Sequence, residues 1–231
     1  MKVYADKDRA VMEDVAAGFL AQSLRAVVDK KKKAVLALCG GRSVSGIYAS
    51  LAEQDVPWSS VHIFMVDERL VPLDDGQSNF RLVKESLIDA LGPRLPSRNA
   101  HPFIVDTAAE DKGVSAYESD LASCCGAYDV LVLSAGEDGH VAALYPDHQS
   151  IMDPAPRFIV MDDSPKPPKE RMSMSGRHVL KASAAVLVFF GESKVKAWKR
   201  FQGGVAYHAC PAGLVREIGD VIVCRDGDLD G

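Results

Sequence analysis

Apolar and polar positions fall into blocks of two kinds along the chain. Short, mostly apolar runs at Ala34–Leu38, Val61–Val66, 128–133, Phe158–Met161, Ala184–Phe190 and Val221–Cys224 read as buried strands, and Arg171–Ser175 as a further short strand. Between them the apolar spacing turns helical. Residues 8–30 carry Val11, Val15, Phe19, Leu20, Leu24 and Val27 on one face of an amphipathic helix. Further helices are predicted over Val44–Glu53, from Ser78-Asn79 to Leu91, over 107–123, over Ser193–Phe201 and over Leu214–Ile218. Ser78-Asn79 supplies an N-cap and Gly92-Pro93 a stop. Pro165-Lys166-Pro167-Pro168 is expected to be a rigid extended linker, because proline fixes its own φ and restricts the residue before it.

Strands alternating with helices imply an α/β fold. The expectation is a mostly parallel open sheet with helices on both faces, Rossmann-like in outline. No internal repeat, low-complexity segment or inter-domain linker interrupts the pattern, so residues 1–231 are expected to form a single domain.

Three predicted strands end in residues of the kind that build sites, and in open α/β sheets ligands bind at that edge. The first runs into Cys39-Gly40-Gly41-Arg42-Ser43 ahead of a helix. Glycines beside a helix N-terminus can form a phosphate cradle, although a plain tight turn fits the same residues. The Walker ending and the dinucleotide Gly-x-Gly-x-x-Gly are both missing. The second strand ends at Asp67-Glu68-Arg69, either functional charges or a solvated turn with a local ion pair. The third, Val130-Leu131-Val132-Leu133, ends at Ser134-Ala135-Gly136-Glu137-Asp138-Gly139-His140. Its imidazole can exchange a proton near neutral pH, and its glycines allow a sharp turn close to a ligand. Lys194 opens a helix, where its charge opposes the helix dipole unless it answers an anion; Lys166 and Arg171 flank the prolines and could clamp a phosphate.

Composition narrows the class. A hydrophobic fraction of 47%, a charged fraction of 26% and a net charge of −5 describe an ordinary globular chain, and with no basic tail nucleic acid is not expected as a partner. The basic run Lys30–Lys33 reads as a helix C-terminus. The five cysteines, Cys39, Cys124, Cys125, Cys210 and Cys224, are odd in number and form no paired zinc spacing. A reducing, cytoplasmic setting is therefore expected. His101, His148, His178 and His208 show no ligand spacing, and His62 lies inside a strand as a structural residue, so no metal or cofactor is expected. Met1–Asp6 shows no signal-peptide core, and the longest apolar run, Ala182–Phe190, is broken by Ser183, so no membrane association is expected.

Six segments in order resemble the glucosamine-6-phosphate isomerase/6-phosphogluconolactonase family, on the lactonase side. They are Gly40–Val44; Asp67–Arg69 with Ser78-Asn79; Ala135–Pro146; Pro165–Arg171; Gly191–Lys194; and Pro211–Leu214. Departures are Arg42-Ser43-Val44 in place of Ser-Thr-Pro, Ser134-Ala135-Gly136 where the pattern opens on glycine, Ala143 for serine and Tyr145 for phenylalanine. The resemblance implies hydrolysis of 6-phospho-D-glucono-1,5-lactone to 6-phosphogluconate in the oxidative pentose phosphate route. His140 would be the general base, Asp67 would position His140 or substrate hydroxyls, and Arg69 would stabilise the oxyanion. Gly40, Gly41, Arg42, Ser43, Asp138, Gly139, Lys166, Arg171 and Lys194 would hold the substrate and its phosphate, with Asp138 shaping the loop. The expected partner is a small sugar-phosphate lactone, and the expected state a monomer or weak homo-oligomer. The isomerase/deaminase branch carries Asn-Glu-Pro and Asp-Glu-Tyr where this chain has Leu144-Tyr145-Pro146 and Asp67-Glu68-Arg69, so that activity is the alternative. A non-catalytic sugar-phosphate sensor is the second alternative, disfavoured by retention of His140, Asp67 and Arg69.

Overall fold

The computed structural model describes residues 1–124, 126–155 and 157–227. In chain order its first elements are β1 (Lys2–Asp6), α1 (Arg9–Lys31), β2 (Ala34–Leu38), α2 (Ser45–Ala52), β3 (Val61–Met65) and β4 (Asp67–Arg69). Next come α3 (Asn79–Val83), a π-helical stretch over Lys84–Ile88, α4 (Asp89–Leu91), α5 (Val114–Cys124) and β5 (Val130–Ser134). The remainder is α6 (Gln149–Met152), β6 (Phe158–Met161), β7 (Arg171–Met174), α7 (Gly176–Val179), β8 (Ala184–Phe189), α8 (Val195–Gln202), a 3₁₀ stretch over Pro211–Glu217 and β9 (Asp220–Asp226).

Six parallel strands form the main sheet in the order β1-β9-β8-β5-β2-β3. Every residue of β2 and β8 is buried, although successive side chains point to opposite faces. Both faces of the sheet centre are therefore covered, as the unbroken apolar runs require. From β2 the chain adds β3 on one side, then returns to place β5, β8 and β9 on the other. That reversal between β2 and β5 opens a crevice at the carboxyl edge of the sheet.

The structure departs from the sequence expectation in several places. Asp67-Glu68-Arg69 is not a loop but a strand, in a second, antiparallel sheet of order β4-β7-β6. Three polar residues carry no strand signal, and cross-strand pairing overrides their propensity. The helix expected over 107–123 begins only at Val114, because Lys112 and Gly113 adopt positive φ (56° and 100°) and break it. Residues 165–168 bend instead of running extended, and the carbonyls of Pro167 and Pro168 accept from the Arg171 guanidinium at 3.0 and 2.8 Å. The Leu214–Ile218 helix is the 3₁₀ stretch Pro211–Glu217. On α1 the buried stripe is Met12, Ala16, Ala17, Leu20, Ala21 and Leu24, and Val11 is exposed. Small residues let the helix lie close to its neighbours, a signal that weighting large apolar side chains misses. β1, an edge strand exposed at every residue, has no hydrophobic pattern to read. Among the described residues, no helix is long and apolar enough to cross a membrane.

His178 on α7 lies buried between Tyr128 and Phe158, with ring centroids 4.9 and 5.0 Å away. Burial pushes its imidazole down from an ordinary 6.5 to about 4. The folded state thus holds it neutral while the unfolded chain protonates below pH 6.5. This contribution is complete above that pH and is lost as pH falls towards 4. Urea unfolding is expected to show His178→Phe losing less stability than wild type between pH 6.5 and 4, by about 2–3 kcal/mol. Equal losses would contradict the buried neutral histidine.

Candidate active site

A cavity of about 290 Å³ lies at the crevice, walled by the segments that follow β2, β3, β5 and β8 and by β7. Ser43 and Ser134 bridge it at its base, their hydroxyls 3.0 Å apart. They join the turn after β2 to the end of β5 across the point where the sheet reverses.

The period of two in β4 sorts its three charges. Asp67 and Arg69 face the cavity, while Glu68 points away and is buried. The Glu68 carboxylate accepts from the backbone N–H groups of Arg69, Asn79 and Phe80 at 2.7–2.8 Å and from the Ser78 hydroxyl at 3.1 Å. It thereby anchors the N-terminus of α3 to the strand. Ser78 caps that helix through the Arg81 N–H, as its sequence position predicts. The next residue, Asn79, turns its amide nitrogen to Asp67, donating to the main-chain oxygen at 2.9 Å and to the carboxylate at 3.2 Å. Burial raises the Asp67 carboxyl above its ordinary range, opposed by Arg69, Arg171, His140 and the Asn79 hydrogen bond.

The turn after β5 holds His140 in one orientation. Its ring Nδ1 lies 2.5 Å from an Asp138 carboxylate oxygen, which also accepts the His140 backbone N–H at 3.1 Å. With the carboxylate ionised, Nδ1 carries the proton and Nε2 is the ring nitrogen left for the cavity. Burial works against the Asp138 charge, but hydrogen bonds and charge from His140, with Lys166, hold its carboxyl far below the ordinary range. The Tyr145 ring sits 4.9 Å from the imidazole, centroid to centroid. The turn itself is tied down by Gly136 N–H to the His140 carbonyl (2.8 Å), Ala212 N–H to the Gly139 carbonyl (2.8 Å) and the Arg200 guanidinium to the Asp138 carbonyl (3.2 Å).

Four cations line the same cavity: Arg69, Lys166, Arg171 and Lys194. Arg69 and Arg171 are register partners on β4 and β7. Like charges directly opposite one another are unfavourable in a sheet. Arg69 donates to the Gln77 carbonyl at 2.6 Å, and its Nε is buried without a partner. Burial lowers the Lys194 ammonium from its ordinary value, opposed by Glu137.

Of the residues singled out in the sequence, the fold brings Gly40, Gly41, Ser43, Asp67, Arg69, His140, Lys166, Arg171 and Lys194 to one cavity. Three lie outside its lining. Arg42 is exposed. Asp138 stands behind His140, and Gly139 (φ 91°) packs against Cys210, where a Cβ would collide with its sulfur. Of the two carboxylates near the imidazole, Asp138 hydrogen-bonds it, and Asp67, expected to position either His140 or substrate hydroxyls, is held by Asn79. Asn79, Ser134, Gly136 and Tyr145 also line the cavity and were not singled out as site residues. The Ser78-Asn79 pair was read as a helix cap and as part of the resemblance, but with no role assigned to Asn79.

The sequence profile described as "Glucosamine-6-phosphate isomerases/6-phosphogluconolactonase" matches residues 7–223. The chain belongs to this family. It is 33% identical over 190 residues to a 6-phosphogluconolactonase of Thermotoga maritima, covering 80% of this chain and 84% of that one. It is 29% identical over 199 residues to a 6-phosphogluconolactonase of Borreliella burgdorferi, with 85% of each chain covered. The crystal structure of a Thermotoga maritima 6-phosphogluconolactonase superposes with a TM-score of 0.84 at 27% identity, over 97% of this chain and 99% of the other.

A Cβ at Gly136 would fall within the His140 ring, well inside van der Waals contact of Nδ1 and Cε1. Gly136→Ala is therefore expected to turn the imidazole off Asp138 and lower kcat by at least about tenfold. Circular dichroism should show the fold retained. A Gly136→Ala variant with full activity would contradict this packing constraint.

Proposed function

We propose that this chain hydrolyses 6-phospho-D-glucono-1,5-lactone to 6-phosphogluconate, the lactonase step of the oxidative pentose phosphate route. The observation that carries the reading is the Asp138–His140 pair, 2.5 Å apart, at the rim of a cavity lined by four cations. A δ-lactone is an activated ester, so hydrolysis calls for a positioned base and a stabilised oxyanion. His140 Nε2 takes a proton from water as the water oxygen bonds to the lactone carbonyl carbon. Arg69 faces the negative charge that develops on the carbonyl oxygen. Collapse of the tetrahedral intermediate breaks the bond to the ring oxygen, which leaves with the proton held by His140. The new carboxylic acid then ionises to solvent. Asp138 balances the transient imidazolium, as the orienting carboxylate does in other acyl-transfer sites.

The phosphate sits on the turn after β2, at Gly40, Gly41 and Ser43. No side chain caps α2, so its first-turn amides keep the donor capacity that a bound anion uses. Lys194 and Lys166 neutralise the phosphate. Arg171 spends Nε and Nη2 on the carbonyls of the 165–168 bend, so it shapes the wall as well as adding charge. Arg42 is not assigned to the phosphate, because its side chain is exposed outside the lining. The repulsion between Arg69 and Arg171 is the kind of cost that a dianionic substrate relieves. Asp67, held by Asn79, is placed to accept hydrogen bonds from sugar hydroxyls. Among the described residues one buried cluster runs from Met12 to Cys224, in keeping with a single catalytic domain. The free thiols Cys39, Cys124, Cys210 and Cys224 suit a reducing, cytoplasmic setting.

The test is product formation from freshly prepared lactone, corrected for spontaneous hydrolysis. His140→Ala is expected to lose about 10²–10⁴-fold in kcat. Lys194→Ala is expected to raise KM with little change in kcat, because a phosphate contact made equally in ground and transition states is uniform binding. A near-normal rate in His140→Ala would remove the base assignment. Ammonia release from glucosamine 6-phosphate, with no lactone turnover, would overturn the proposed reaction.

A further inference from the structure

Away from the cavity, the fold gathers His62, His101 and Cys124 into one cluster. His62 is the second residue of β3, the edge strand of the main sheet. His101 follows the Ser97–Asn99 turn, and Cys124 ends α5. Their ligand atoms form a tight triangle: His62 Nδ1 to His101 Nε2 is 3.0 Å, Cys124 Sγ to His62 Nδ1 is 3.3 Å, and Cys124 Sγ to His101 Nε2 is 3.6 Å. Around a tetrahedral zinc ion, bond lengths near 2.05 Å for nitrogen and 2.3 Å for sulfur set roughly 3.3 Å between two nitrogens and roughly 3.6 Å between nitrogen and sulfur. The triangle has the edges of that coordination face to within a few tenths of an ångström.

We propose that His62, His101 and Cys124 bind a borderline-soft divalent metal ion, with zinc as the best match, and that the ion clamps the 97–101 turn and the end of α5 to the sheet edge. The ligand set is one that zinc favours, and three protein ligands leave the fourth position to water. His101 is held in place before any metal arrives. Its ring stacks on Phe64 at 4.2 Å and 8°, its backbone N–H donates to the Ile63 carbonyl at 2.9 Å, and its backbone carbonyl accepts from the Tyr117 hydroxyl at 3.2 Å. Its other ring nitrogen, Nδ1, faces an Asp120 carboxylate oxygen at 4.0 Å, the direction from which carboxylates steady metal-bound histidines. Burial lowers both imidazoles from their ordinary value, so each offers a lone pair near neutral pH. Burial also raises the Cys124 thiol, with Lys33 acting in the opposite sense. Metal binding breaks the S–H bond, releases that proton to solvent and forms the metal–sulfur bond in its place. Lys33, which with Arg98 bears on His62, favours the resulting thiolate, and Asp120 acts against it. None of the three residues lines the catalytic cavity.

The test uses the full chain, stripped with a chelator and titrated with Zn²⁺ by calorimetry. One ion per chain is expected, with a dissociation constant of about 1 μM or less. At hundredfold excess over that constant, Tm should rise by roughly 5–10 °C. Co²⁺ in place of zinc should give a thiolate-to-cobalt charge-transfer band in the near ultraviolet. Cys124→Ser should abolish that band, weaken Zn²⁺ binding by at least about tenfold and leave lactone hydrolysis unchanged. His101→Gln should weaken Zn²⁺ binding to a similar degree. Absence of binding in the micromolar range would leave the triangle as thiol–imidazole hydrogen bonds and overturn the proposal. So would binding that survives both Cys124→Ser and His101→Gln.

Discussion

The reversal of strand order between β2 and β5 is the constraint on which the rest of the site depends. Parallel strands bring all their carboxyl ends to one edge, and the reversal parts two adjacent connections there. One connection carries Gly40–Ser43 and the other Ser134–His140, and the 3.0 Å bridge between Ser43 and Ser134 marks where they separate. The small antiparallel sheet then closes the crevice from the side, through Asp67, Arg69 and Arg171. Neither sheet builds the site alone. The parallel sheet supplies an opening with backbone donors, and the antiparallel one supplies charge that water would otherwise solvate.

Glycine in this site serves packing as much as turning. Gly40 and Gly136 have negative or unexceptional φ, yet each leaves a gap that a neighbouring side chain fills. Asn79 occupies the gap at Gly40 and so reaches Asp67; His140 occupies the gap at Gly136 and so reaches Asp138. Both catalytic-edge carboxylates are therefore held by partners that depend on a missing Cβ. Gly41, with φ 106°, and Gly139, with φ 91°, meet the ordinary requirement of a backbone turn.

Much of this was legible from residue order. Apolar runs identified the buried strands, the residues at three strand ends marked the crevice, and Ser78 marked the start of α3. What escaped had no local signature. Arg42 sits inside the cradle segment but is exposed and outside the cavity lining, because the placement of a turn residue depends on the fold around it. Asp138 and Asp67 are both carboxylates near a histidine, and only the folded loop distinguishes the one that holds Nδ1. Asp67-Glu68-Arg69 becomes a strand through pairing with β7, more than a hundred residues later in the chain. The His62, His101 and Cys124 ligands are separated by 39 and 23 residues, so no spacing rule finds them; the sheet edge and α5 bring them together. Tertiary pairing, in each case, carries information that a window of sequence lacks.

The central claim is that Asp138, by holding Nδ1–H, makes His140 Nε2 the base. Its most direct test is the pH–rate profile of Asp138→Asn against wild type on freshly prepared lactone. An asparagine keeps the size of the side chain but loses the charge that fixes the tautomer and balances the imidazolium. A fall in kcat of about 10²–10⁴-fold across the neutral range, with KM little changed, is the expected result. An Asp138→Asn enzyme with a wild-type profile would contradict the claim.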